Sequence, residues 1–236
     1  MSATGLNEKR LPHPPLLLVT DRRQAARPLA EVVAAALAAG CRWVSLREKD
    51  LGEAEQAALI AELRPRVEQV QGVLSLHGDP ALAARCGVGV HLPATGEPRV
   101  ARDILGAGQG EAPRLPVGVS VHSPAEAARL DPRLVDYAIA GPAFATASKP
   151  GYGPALGPAG VSAIVRASAV PVVAIGGVTA ETIPSLLAAG AAGVAVMGGV
   201  MRANNPAAEV RRLLDAIETH RPGGERKERA VLLPSR

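Results

Sequence analysis

Residues 171–177 read PVVAIGG, and residues 192–200 read AGVAVMGGV. Each is a short apolar run that closes on a Gly-Gly pair. A continuous apolar run of this kind reads as a strand covered on both faces. Two adjacent glycines at its end bring bare backbone to the point where the strand leaves the core, which is useful when an anion has to be held by amides.

Outward from these two runs the chain repeats one unit. Strands are read over 16–21, 43–50, 72–79, 88–93, 115–123, 135–144, 170–177 and 191–199. Helical stretches lie between and after them, over 28–40, 53–70, 80–87, 99–108, 124–130, 157–168, 179–190 and 205–220. Pro28 and Gly40 bracket the first helix in the expected order. Ser123 is placed to cap one helix and Thr179 another, with Glu181 in the first turn of the latter. Strands alternating with helices through eight units predict a single (β/α)8 TIM barrel. A doubly wound open sheet is the alternative, but the chain shows no strand-linked GxGxxG.

At 236 residues the length suits one such barrel over 15–220, with a flexible N-terminus over 1–14 and a disordered basic tail over 221–236, where RPGGERKER stands. Hydrophobic residues make up 47% and aromatics 2%, the full aromatic set being Trp43, Phe144, Tyr137 and Tyr152. That poverty argues against a stacking platform for nucleic acid. The net charge of +4 is mild. Cys41 and Cys86 lack CxxC spacing and read as reduced thiols in apolar surroundings. No secretory signal and no run of membrane-span length is seen, so a cytoplasmic protein without membrane or nucleic-acid partners is expected.

In a TIM barrel the chemistry sits at the C-terminal ends of the strands. The residues there are Thr20 and Asp21, then Arg47, Glu48 and Lys49, then His77, Gly78 and Asp79, then His91. His122, Ser123 and the loop from Gly141 to Lys149 follow, and then the two Gly-Gly pairs. Gly176, Gly177, Gly198 and Gly199 at the seventh and eighth strands predict a phosphate site, where plain turn glycines would account for one pair but less well for two. Arg47 and Lys49, two apart, are expected to point together into the mouth, against the alternative of a solvated cluster. Thr146, Ser148 and Lys149 combine hydroxyls and a cation in one loop, as an anion lid would. His91 and His122 are acid–base candidates because the free imidazole titrates near working pH. No Asp/Glu/His grouping has metal-ligand spacing, and Asp21 with Asp79 is the pair to test.

The stretches LLLVTDRR, VSLREKD, VGVHLP, VGVSVHSPAEAARL, VDYAIAGPAFATASKPG, VPVVAIGGVT and AAGVAVMGGV resemble the thiamine-phosphate synthase superfamily, which includes the TenI-type thiazole tautomerases. The likeness spans residues 16 to about 218. It implies a barrel enzyme of thiamine biosynthesis that binds a small-molecule thiazole phosphate and forms a homo-oligomer, a dimer. The departures select the branch. Ser45 stands where the synthase has Gln. His77-Gly78-Asp79 is one residue shorter than its Asn-Asp-Arg stretch, so Gly78 falls on a Mg²⁺ carboxylate. His91-Leu92-Pro93 lacks the second one. Losing both should cripple pyrophosphate chemistry, in which the metal carries charge.

The resemblance therefore implies a thiazole tautomerase that aromatises a carboxythiazole phosphate by a proton shift without metal or other cofactor. His122 would be the catalytic residue. Arg47, Lys49, His77, His91, Thr146, Ser148 and Lys149 would bind substrate, and the four glycines its phosphate. A Mg²⁺-dependent thiamine-phosphate synthase and a non-catalytic phosphate-binding paralogue are the alternatives. An aldolase-like barrel lacks support, since neither Lys49 nor Lys149 sits inside an apolar strand as a Schiff-base lysine would.

Overall fold

The computed structural model describes residues 11–107, 114–146 and 155–220. Eight short parallel strands close into a barrel in sequence order, β1 beside β8. They are β1 (Leu16–Val19), β2 (Trp43–Leu46), β3 (Val73–His77), β4 (Gly89–Leu92), β5 (Val117–Val121), β6 (Tyr137–Ala140), β7 (Val172–Ile175) and β8 (Gly193–Val196). The helices are α1 (Leu29–Ala38), α2 (Glu53–Gln69), α3 (Pro80–Arg85), α4 (Pro98–Gly106), α5 (Pro124–Ala127), α6 (Gly157–Ala167), α7 (Ile183–Ala188), α8 (Gly198–Met201) and α9 (Pro206–His220). The expected (β/α)8 barrel is the observed one.

The pleat explains why the strands read as unbroken apolar runs. Successive residues point to opposite faces, and both faces are buried. Leu16, Leu18, Val44 and Leu46 face the helices in the large outer core, while Leu17, Val19, Trp43, Tyr137, Ile139, Val173 and Ala195 fill the barrel. Leu11 packs against this inner cluster.

The interior is tight where it is aromatic. Trp43 meets Tyr137 edge to face at 4.7 Å, and a Cβ on Gly118 would lie 2.1 Å from Cζ of Tyr137. The ring of Tyr137 thus fills the space of a side chain that residue 118 does not have.

Two local readings are corrected. Thr179 does not cap a helix: its carbonyl closes a turn with the Thr182 and Ile183 amides, and α7 begins only at Ile183. The second Gly-Gly pair does not end a strand, because β8 stops at Val196 and Gly198-Gly199 opens the one-turn helix α8. Glycine disfavours helix, so propensity hides that turn. The expected cap by Ser123 is present, its hydroxyl accepting from the Glu126 amide at 3.2 Å. Cys41 and Cys86 are free thiols. No described helix is long and apolar enough to cross a membrane. Residues 1–10 and the basic tail 221–236 lie outside the described residues.

Candidate active site

The C-terminal mouth of the barrel holds a cavity of about 290 Å³, lined by Arg47, His77, His91, Ser120, His122, Thr146, Gly176, Gly177, Thr179, Gly198, Gly199 and Arg202 among others. Its apolar walls come from Val19, Ile139, Ile175, Ala195 and Met197.

Arg47 reaches this cavity because the loops beneath it are pinned. The Thr20 hydroxyl accepts from the Arg47 amide at 2.9 Å, and the buried Glu48 carboxylate accepts from the Arg22 amide through both oxygens, at 3.1 and 2.9 Å. Burial pushes the Glu48 carboxyl above its usual pKa. The charged run after β2 is therefore divided: Arg47 lines the cavity, Glu48 ties the β1 loop, and Asp50 pairs with Arg22 at 2.8 Å. Lys49 is exposed and does not line the cavity. Strand alternation ends at Leu46, so the two-residue spacing no longer sets direction beyond it.

On the opposite wall, His122 Nδ1 lies 2.7 Å from the Gly141 carbonyl oxygen. A carbonyl only accepts, so Nδ1 carries the proton of the neutral ring and Nε2 is its acceptor nitrogen. The His122 amide donates to Glu126 at 2.6 Å, which fixes the residue at the top of β5. His91 is different. It is 1% exposed, its ring lies 4.4 Å from that of His77, and Nε2 is 2.9 Å from Ser120 Oγ. Burial lowers its pKa to about 3, so it stays neutral at working pH and is not an acid–base group on its own.

The glycines come together as expected, all four lining one cavity. Gly176 and Gly177 have φ of +99° and +62°. A Cβ on Gly177 would lie 2.6 Å from Cβ of Phe144, whereas one on Gly199 meets nothing within 4 Å. Thr146 lines the cavity too, and Ser148 and Lys149 fall outside the described residues.

Sequence reasoning passed over several lining residues, among them Ser120, Thr179 and Arg202. Ser120 lies on β5 two positions before His122, which stands just past the strand's end, and both line the cavity, so their spacing could have found it. Arg202 follows α8, and no signal pointed to it without that helix.

The cavity does not suit a hard divalent cation, which takes carboxylate and other oxygen ligands. Among the described residues no carboxylate lines it and no cluster of three potential ligands exists, and positions 147–154 contain no Asp or Glu. Asp79 accepts from the Ala81 and Leu82 amides as the cap of α3, and Asp21 accepts from the Arg23 amide and the Gln24 side chain.

Comparison with known proteins agrees with this picture at the family level. The family model for thiamine monophosphate synthase (TMP-TENI) matches residues 16–200. A Geobacter sulfurreducens protein, provisionally named thiamine-phosphate synthase, is 39% identical over 202 residues, covering 84% of this chain and 92% of its own. The thiamine-phosphate synthase of Chlorobium luteolum is 35% identical over 217 residues, covering 90% and 97%. Among solved structures, a thiamine phosphate pyrophosphorylase from Pyrococcus furiosus superimposes with a TM-score of 0.76 at 28% identity, covering 90% of this chain and 98% of that one.

Proposed function

The chain belongs to the thiamine monophosphate synthase family, and from that premise we propose that it aromatises a carboxylated thiazole phosphate by a metal-free proton shift. The observation that carries this reading is the make-up of the cavity wall: histidines, arginines, hydroxyls and glycine backbone, with no carboxylate among the described lining residues. Such a wall suits an anionic substrate and a proton transfer, and it offers nothing to hold the metal that neutralises a leaving pyrophosphate.

In this mechanism the amides at Gly176, Gly177, Gly198 and Gly199 take the phosphate, helped by the partial positive charge of backbone N–H groups. Arg47 meets the ring carboxylate, where a guanidinium makes two parallel hydrogen bonds. His122 Nε2 takes the proton from one ring position and returns it to another, while Nδ1–H stays anchored on Gly141. The aromaticity of the product drives the reaction forward. The proposal requires no cofactor and takes a homodimer as the working assembly, which sedimentation tests directly.

A second reading, coupling of a pyrimidine pyrophosphate to a thiazole phosphate, is favoured by the names of the relatives, which speak for synthase activity. On the comparisons alone it has the better support, and the Thr146-x-Ser148-Lys149 sequence resembles the synthase's pyrophosphate loop. The cavity's donor set favours the first reading.

One experiment separates them. The purified protein is given the carboxythiazole phosphate tautomer with EDTA, and aromatisation is followed by absorbance beside His122→Ala. The expected result is metal-independent turnover that falls about 10²–10⁴-fold in the variant. No turnover there, with Mg²⁺-dependent formation of thiamine phosphate from the two synthase substrates, would establish the second reading instead.

A further inference from the structure

Among the described residues His91 is one of five buried polar or charged side chains, and neighbouring side chains enclose its ring. His77 from β3 lies 4.4 Å away, Tyr137 from β6 stacks at 5.6 Å, and Ser120 from β5 sits 2.9 Å from Nε2. The other ring nitrogen, Nδ1, is buried with no hydrogen-bond partner. A neutral imidazole has one N–H, and two placements are open to it. On Nδ1 it would be a buried donor without an acceptor, the rarer and costlier defect; on Nε2 it donates to Ser120 and leaves only an unused lone pair. The ring is neutral because burial lowers its pKa to about 3, with no charged neighbour among the causes. The second placement is the one the surroundings select.

The consequence falls on Ser120. A hydroxyl has one proton to give. If Oγ accepts from His91, its own O–H turns elsewhere, and Ser120, on β5, lines the same cavity as His122, which stands just past that strand's end. We propose that His91 is a positioning residue that fixes the Ser120 hydroxyl as a hydrogen-bond donor into the cavity, where it meets an acceptor on the substrate ring: the ring nitrogen or a carboxylate oxygen beside it. This assigns Ser120 to substrate binding and rests on the carboxythiazole phosphate reading for the identity of the acceptor. It also gives the two histidines of the β4–β5 wall separate tasks: His122 exchanges a proton, and His91 orients a hydroxyl without exchanging one.

Two measurements test it. The first uses protein labelled with ¹⁵N-histidine, whose ring nitrogen couplings report the tautomer; the His91 signal is assigned by its loss in His91→Phe, or by its shift in Ser120→Ala where that variant alone folds. The expected result is an Nε2–H tautomer unchanged between pH 5 and 8. An Nδ1–H tautomer, or titration within that range, overturns the proposal.

The second is calorimetric binding of the aromatic carboxythiazole phosphate product. Ser120→Ala and His91→Phe should each weaken binding about five- to tenfold, the loss of one hydrogen bond. The double variant should lose no more than either single one, and His91→Gln, which keeps an N–H near the Nε2 position, should recover most of the affinity. A merely structural role for His91 would give losses that add in the double variant and no recovery with Gln. Additive losses, or wild-type affinity in Ser120→Ala, would overturn it. If the wild-type protein does not bind this ligand, the preceding functional reading fails, and the tautomer measurement alone decides the assignment of Ser120's hydroxyl.

Discussion

Gly176-Gly177 follows β7 directly and Gly198-Gly199 opens α8 just beyond β8; both pairs face one cavity, yet they are held to glycine by different things. At the first pair the protein itself leaves no choice. Both residues have left-handed backbone, and a Cβ on Gly177 would collide with Phe144 and with the Ala145 carbonyl oxygen at 2.8 Å. At Gly199 the surroundings make no such demand. Its φ is not left-handed, it sits in the first turn of α8 where glycine is a poor helix former, and a Cβ there would enter open space. A residue that costs helix stability and answers to no contact within the chain has its reason outside the chain. Gly199 lines the cavity, and the proposed substrate, whose anionic group would lie against the backbone, supplies one. The first pair is thus held to glycine by the packing of the protein itself, and at Gly199 the proposed phosphate is the remaining reason.

The largest expected effect tests the architectural half. Gly177→Ala should lose about 2–3 kcal/mol of stability in urea unfolding, from a strained φ and a backbone collision together. Wild-type stability in that variant would erase the distinction between the pairs. Next comes Gly199→Ala, which should fall within about 0.5 kcal/mol of the wild type in the same unfolding measurement. Its affinity for the thiazole phosphate should nevertheless drop about tenfold or more, close to 1.4 kcal/mol, because the methyl group takes space that the phosphate needs. Loss of stability without loss of affinity would reverse the assignment.

The smallest effect concerns pH. His91 has a folded pKa lowered to about 3 from an unfolded value near 6.5. Above pH 6.5 both states are neutral at this residue and it contributes no pH dependence. As pH falls below 6.5 the unfolded state takes up a proton that the folded state refuses, so stability should decline, by up to about 1.4 kcal/mol per pH unit. Both glycine variants should keep that slope, since neither touches β4, and His91→Phe should flatten it. A glycine variant with an altered slope would mean that the two walls of the cavity are coupled.

How much of this was legible beforehand depends on what each residue answers to. The strands were, because burial on both faces leaves an apolar run that no other element imitates as well. The closure of the barrel followed from the repetition of the unit. Arg47 and Lys49 show the limit. Their spacing is the same as that of inward-facing strand neighbours, but the strand stops at Leu46, and beyond it a hydrogen bond from the Arg47 amide to Thr20 and a buried Glu48 decide direction. Those partners lie 27 and 26 positions from the residues they hold, beyond the reach of local pattern. Thr179 failed as a cap for a related reason: the turn after Gly177 uses Thr179 and Thr182 together and delays the helix. Ser120 was within reach, since its two-residue spacing from His122 is preserved in the barrel. Its chemical meaning was not, because that depends on which proton a ring on the neighbouring strand carries.

The contact between Gly118 and Tyr137 has a consequence for descent. The phenol ring lies where the first carbon of any side chain at 118 would have to go. Neither position can drift alone: a larger residue at 118 expels the ring, and a smaller one at 137 opens a void between Trp43 and His91, its two ring neighbours. A lineage that replaces residue 118 or 137 is therefore expected to carry a compensating change at the other.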